Sequence, residues 1–160
     1  MEAEIGDKLP SNLVRPNLRT YMKNLTVTGA AQWFLRVALA AGFLSAVADR
    51  FGLWGPIGAP HVAWGAWQPF VDYVAKLNWF APPALIPVLA WTSSAAEVVL
   101  AIGLLVGWQL RWFALASGVL LLAFAITMTL ALGLKAPLDF SVFVAAAGAF
   151  LLAVTSYGNA

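Results

Sequence analysis

The sequence predicts an all-α membrane protein, a four-transmembrane-helix up-down-up-down bundle with an amphipathic helix in its first, outer loop. Three observations carry this expectation. Of the 160 residues, 62% are apolar and only 10% charged, and the mean hydropathy is +0.83; soluble domains carry roughly 45–50% apolar and about 25% charged residues. Four apolar stretches come close to or exceed the roughly 20 residues that a helix needs to cross about 30 Å of hydrocarbon. The links between the last three are so short that neighbouring helices must run antiparallel.

Composition also removes whole classes of function. With so few charged groups the chain cannot keep a surface wet, which excludes an ordinary soluble enzyme, a disordered protein and a DNA-binding domain. Nine basic residues stand against seven acidic ones, an excess too small and too dispersed for a nucleic-acid patch. There is no cysteine and one histidine. The chain therefore supplies no disulfide, iron–sulfur cluster, thiolate-bound metal or bis-histidine haem of its own. No catalytic residue and no metal-ligand set can be assigned.

The spans are read at residues 28–48, 84–106, 112–132 and 137–155. In lipid each backbone donor and acceptor must be satisfied within its own segment, so all four are helices. Together with the loops they form a transmembrane domain over residues 25–160, preceded by a polar tail over residues 1–24. Arg15, Arg19 and Lys23 precede the first span and Arg111 follows the second, on the same side of the membrane. The positive-inside rule then puts both termini in the cytoplasm, in a bacterial-type inner membrane. Ala46-Val47-Ala48 resembles a signal-peptidase site, but the apolar run is too long for a cleaved signal and contains Arg36. The first span is read as a retained signal anchor.

The long loop over residues 49–83 opens with a Gly/Pro-rich stretch, Gly52 to Pro60. Within it Trp67, Phe70, Val71, Val74 and Leu77 recur at helical spacing, with Pro69 in the first turn and Pro82-Pro83 as a stop. This is an amphipathic helix that lies in the outer interface or folds over the bundle mouth. Five tryptophans, Trp54, Trp64, Trp67, Trp79 and Trp91, cluster at this level, and Trp33, Trp108 and Trp112 sit nearer the inner one. An interfacial indole belt accounts for them; a quinone or lipid clamp among the outer five is the sharper alternative.

Two charges fall inside the spans. Counted by rise per residue, Arg36 lies about 12 Å and Glu97 about 14 Å from the cytoplasmic ends of their helices. A lone charge at such depth costs at least about 2.5–3.5 kcal/mol on insertion scales, so an Arg36–Glu97 ion pair facing the bundle interior is expected. Gln32, Thr92, Ser93 and Ser94 lie one turn away and could complete a polar pocket for a head group, a quinone carbonyl or an anionic lipid. Taken singly, each hydroxyl is accounted for by a bond to its own i−4 carbonyl, as are Thr127 and Thr129. Small residues line Ala38, Ala41, Gly42 and Ser45 of the first span, Gly103 and Gly107 of the second, and Ala145, Gly148 and Ala149 of the fourth. Such stripes suit close helix packing or docking of other subunits. His61, the Asp49-Arg50 pair at headgroup level and Asp139 at a helix N-terminus are read as structural.

Leu35-Arg36 through Gly42-Phe43, then Ala96-Glu97 followed by the aliphatic run Val98 to Gly107, then Arg111, form a pattern. In these residues the chain resembles the DoxX/DoxD-like four-helix membrane proteins, over about residues 32–153. The resemblance implies association with redox systems, in some relatives as the membrane subunit of a thiosulfate:quinone oxidoreductase and in others as an assembly or chaperone-type protein. The leading expectation is a non-catalytic accessory or anchoring subunit of a larger respiratory or quinone-linked complex, with lipid and other membrane subunits as partners. The alternative is a quinone-binding redox subunit; a membrane chaperone or a small transporter ranks below both.

Overall fold

A computed structural model describes the backbone from residue 18 to 156 and the side chains from residue 26 onward. Contacts divide the chain into two compact units, Met1–Trp33 and Phe34–Ala160. Among the described residues all regular structure is helical. The polar tail lies outside the described residues up to Asn17. From Leu18 onward the chain is helix, α1 (Leu18–Arg50), so the last residues read as tail are helical.

In the second unit, α1 ends at Arg50 and a glycine-rich loop leads to α2 (Trp67–Leu77). Phe70, Val74 and Leu77 are the buried residues of α2, as the i, i+4, i+7 spacing requires of one apolar face. Asn78 closes it by donating both its backbone N–H (3.0 Å) and its Nδ2 (2.9 Å) to the Val74 carbonyl. A 3₁₀ turn at Pro83–Leu85 starts the climb into α3 (Ile86–Val106). Gly107–Gln109 then connects α3 to α4 (Leu110–Leu132).

Three segments are long and apolar enough to cross a membrane: Thr26–Arg50, Pro83–Val106 and Leu110–Leu132. The predicted fourth span is broken. It consists of the single turn α5 (Lys135–Asp139) and the 14-residue α6 (Val142–Thr155), separated by Ser141 in a left-handed conformation at φ 54°. The Ser141 N–H turns back to the Leu138 carbonyl at 3.0 Å, which tightens the chain and ends α5. The Ser141 carbonyl then receives the Ala145 N–H at 3.0 Å and starts α6. Asp139, expected to sit against the dipole of an unbroken fourth helix, instead pairs with Lys135 one turn earlier on the exposed side of α5.

The core has two parts. The larger joins Leu39, Ala40 and Phe43 of α1 to Leu100, Ala101 and Leu104 of α3, with Ala114, Ala149 and Leu152 closing it from α4 and α6. The smaller joins Phe70 and Val74 of α2 to Ile86 and Ala90 of α3. The loop helix is therefore folded onto α3 and α4. Large apolar side chains such as Phe34, Val106 and Val144 face outward, 70–78% exposed, where hydrocarbon is the solvent that accepts them.

Helices α4 and α6 pack closely against each other. Gly118 is buried, and a Cβ there would stand 2.7 Å from the Phe150 ring. Gly118→Val is expected to cost about 1–3 kcal/mol by overpacking, and Phe150→Leu in the same chain should restore part of it. Thermal unfolding of the three proteins in one detergent checks this; a Gly118→Val midpoint equal to wild type would refute the contact.

Candidate functional site

One polar cluster is buried in the second unit, where α1 ends against the middle of α3. Arg50 is 3% and Glu97 1% exposed. Arg50 Nη2 donates to both carboxylate oxygens of Glu97, at 2.7 and 2.9 Å, and Nη1 donates to Ser94 Oγ at 2.6 Å. Ser94 in turn donates to the Ala90 carbonyl at 2.9 Å. Ser94 and Glu97 are three apart on α3 and so share a face. At the end of α1 the guanidinium also meets the negative pole of its own helix.

Aromatic rings cover the pair. The Arg50 guanidinium carbon lies 3.9 Å from the Phe70 ring centroid and 5.5 Å from that of Trp64, an arrangement that partly replaces lost water around the cation. The neighbouring residue places the cover. Asp49 Oδ2 accepts the backbone N–H groups of Ala63 (2.9 Å) and Trp64 (3.1 Å), so the loop is drawn back over the end of α1. Trp64 meets Phe70 edge-on at 5.3 Å, and Trp67 and Trp91 lie 4.1 Å apart with Phe51 stacked on Trp67 at 5.5 Å. Burial among these rings pushes the Tyr73 phenol above its ordinary range.

The expected pairing is corrected on two counts. Glu97 is held by Arg50, not by Arg36. Arg36 instead donates from Nε to the Leu104 carbonyl (2.7 Å) and from Nη2 to the Leu105 carbonyl (2.9 Å). These are terminal carbonyls of α3 that lack partners within the helix, so Arg36 serves as a cap for α3. Gly107, left-handed at φ 79°, ends that helix, and its missing side chain makes room for the Arg36 guanidinium. Asp49 and Arg50 likewise do not pair with each other: one organises the loop and the other locks α3.

Depth counting misplaced the partner because it aligned the ends of the two helices. In the fold the first turns of α3 overhang the end of α1, and α2 packs into the space beside them. Arg36 and Arg50 are 14 residues apart, about 21 Å along α1, and only Arg50 reaches the level of Glu97. A serine one turn before an intramembrane glutamate was the signal in the sequence; the arginine at the end of the first span had been assigned to head groups.

The remaining candidates are dispersed. Gln32 belongs to the first unit and is partly buried. Ser93 donates to the Ala90 carbonyl at 3.1 Å, Thr92 to Val88 at 2.7 Å and Thr129 to Ala125 at 2.7 Å, while Thr127 donates to Phe124 at 3.1 Å. The five outer tryptophans do not form one clamp. Trp64, Trp67 and Trp91 gather with Phe51 and Phe70, Trp54 donates to the Ser45 carbonyl at 3.2 Å, and Trp79 packs edge-on to Phe80. Gly103 lies under Phe113, and Gly148 faces Leu35, which a Cβ would approach to 3.2 Å. Gly42 has nothing near it, and Ala38, Ala41, Gly42 and Ser45 all lie exposed on α1, so that stripe is not an internal packing face.

Apolar helices of spanning length around a buried ion pair define an integral membrane protein. The chain belongs to the family described as methylamine utilisation protein MauE, whose model matches residues 28–139, more than two thirds of its length. This replaces the resemblance to the DoxX/DoxD-like proteins, which are a different family, and with it goes the link to thiosulfate:quinone oxidoreductase. No curated protein and no solved structure matches the chain.

Arg50→Leu and Glu97→Leu should each cost about 3–5 kcal/mol, because each leaves a buried charge unpaired, and the double substitution should cost less than either. Thermal midpoints of the three variants test this; a double variant as unstable as the sum of the singles would dissolve the pair. Asp49→Ala strips the Ala63 and Trp64 N–H groups of their acceptor, at about 1–3 kcal/mol. Hydrogen exchange should then rise across residues 51–66 and stay unchanged in α4. Unchanged exchange in that loop would show that Asp49 does not hold it.

Proposed function

We propose that this protein is a non-catalytic accessory subunit of the inner membrane that serves methylamine utilisation by holding or assembling other membrane components. The single observation that carries the reading is the interlocking of its buried cluster, in which only the Arg50 Nε lacks a partner. Both Glu97 oxygens, the Arg50 Nη groups and Ser94 Oγ are engaged with one another, an arrangement suited to fastening helices and poorly suited to proton transfer or substrate turnover. The sequence supports it from the other side: with no cysteine, electrons could pass only through a bound or partner cofactor. The family description supplies the metabolic setting, and using an amine as fuel requires its oxidation. Trp67 shares its ring faces with Phe51 and Trp91, which favours a packed lid over an open quinone clamp. In this reading the basic residues keep both termini in the cytoplasm.

Deleting the gene in its host should abolish growth on methylamine and leave growth on an unrelated carbon and nitrogen source intact. Gentle extraction from methylamine-grown membranes should yield the chain in an assembly with cofactor-bearing subunits, or in transient complexes captured by crosslinking. Unimpaired growth of the deletion strain on methylamine would overturn the proposed setting. A particle of this chain alone, with no crosslinked partner, would overturn the accessory role.

A further inference from the structure

The cover over the buried pair is lightly held, and it closes at a cost. Among the described residues, the buried side-chain nitrogen and oxygen atoms without a hydrogen-bond partner are Asp49 Oδ1 and Arg50 Nε. They belong to consecutive residues at the end of α1, beneath the loop that Asp49 draws over it. A buried donor or acceptor left without a partner is costly, and such groups in a native fold mark stored strain. Both would gain water if the loop moved aside.

The segment Gly52–Gly65 is built to do so. It leaves the body and returns to it at one point: a Cβ on Gly52 would stand 2.8 Å from the Gly65 carbonyl oxygen. Ends that meet define an Ω-loop, and both of these ends are left-handed, at φ 72° and 66°. No residue between them is buried, and Leu53 and Ile57 are 77% and 65% exposed. Its internal backbone bonds, Gly55 to Gly52, Ala59 to Pro56 and Val62 to Ala59, are local turns that travel with it. Past the turn that ends α1, it is tied back by the Trp54 indole on the Ser45 carbonyl and by the Ala63 and Trp64 N–H groups on Asp49. The segment carries no Asp, Glu, Lys or Arg to anchor it to head groups. Few buried contacts and few bonds to the body mark a region of low local stability. Trp64, 5.5 Å from the Arg50 guanidinium, moves with the segment, whereas Phe70 stays on α2. We infer that Gly52–Gly65 is a hinged lid over the Arg50–Glu97 pair, latched by Asp49 and opening about its two glycines while the helices stay folded. The inference goes beyond the proposed function and does not rest on it, since an accessory subunit needs no moving part.

The chain has no cysteine, so a single introduced thiol reports the opening. Ser94→Cys sets a thiol beside Arg50 beneath the lid, and Ser117→Cys sets one at a fully buried position of α4. Both full-length proteins, in nanodiscs, are treated with the same charged methanethiosulfonate reagent. The Ser94→Cys thiol should react at least roughly tenfold faster than the Ser117→Cys thiol. Asp49→Ala, which removes the latch, should speed the first by roughly another tenfold and leave the second unchanged. Equal rates for the two thiols would mean that the pair is reached only by global unfolding, and would overturn the lid. So would an Asp49→Ala effect that is absent or the same at both positions. If Ser94→Cys does not fold, hydrogen exchange of the unmodified chain decides. The Ala63 and Trp64 amides should then exchange at rates indifferent to small additions of SDS that speed exchange in α4. A shared dependence on SDS would overturn the proposal.

Discussion

The fold depends on how one glutamate is kept charged-compatible in the middle of an apolar helix. Glu97 is 1% exposed, and a carboxylate there must be neutralised by something that arrives with the fold. Arg50 does so from the end of another helix, so the pair ties α1 to α3 at one height and no other. Once that height is set, the first turns of α3 project past α1, and their flank must be covered by Phe70, Val74 and the loop that carries them. The loop between α1 and α3 is thus part of the solution to burying a charge. Its own shape is set by the residue beside the arginine, through the two N–H groups that Asp49 gathers.

Two arginines on one helix perform different work for the same reason. In a low-dielectric surrounding, any carbonyl or carboxylate without a donor is expensive. Arg50 answers a side-chain charge, and Arg36 answers the backbone carbonyls of Leu104 and Leu105 at the end of α3. A cap built from an arginine on a neighbouring helix also fixes the neighbour, so the end of α3 and the middle of α1 cannot slide past each other. Between them, the two arginines pin α1 to α3 at two heights.

The class of the protein, its apolar helices and the amphipathic α2 were legible because each rests on a periodicity or a composition that one sequence contains. Phe70, Val74 and Leu77 were on the buried face at the spacing expected. The pairing was not legible, because it depends on the relative height of two helices, and no periodicity encodes that. Hydrophobicity could not show the break at Ser141 either: Val142 to Thr155 continues the same apolar composition, and the interruption lies in a single left-handed residue. The family resemblance rested on an Ala-Glu-aliphatic-Gly run that many tightly packed spans share, and it pointed to the wrong family. The buried cluster of Arg50, Glu97 and Ser94 required distances.

The 14-residue α6 spans about 21 Å along its axis, some way short of the hydrocarbon thickness of an ordinary bilayer. Its neighbour α4, with 23 residues, reaches about 35 Å. Where α6 borders lipid, it presents an apolar flank shorter than that of α4. Lipids there must compress, or the protein must tilt, and either response costs a fraction of a kcal/mol per ångström of mismatch. A second membrane protein with an equally short flank would relieve that strain on both sides, so the bilayer itself would draw the two together along this edge.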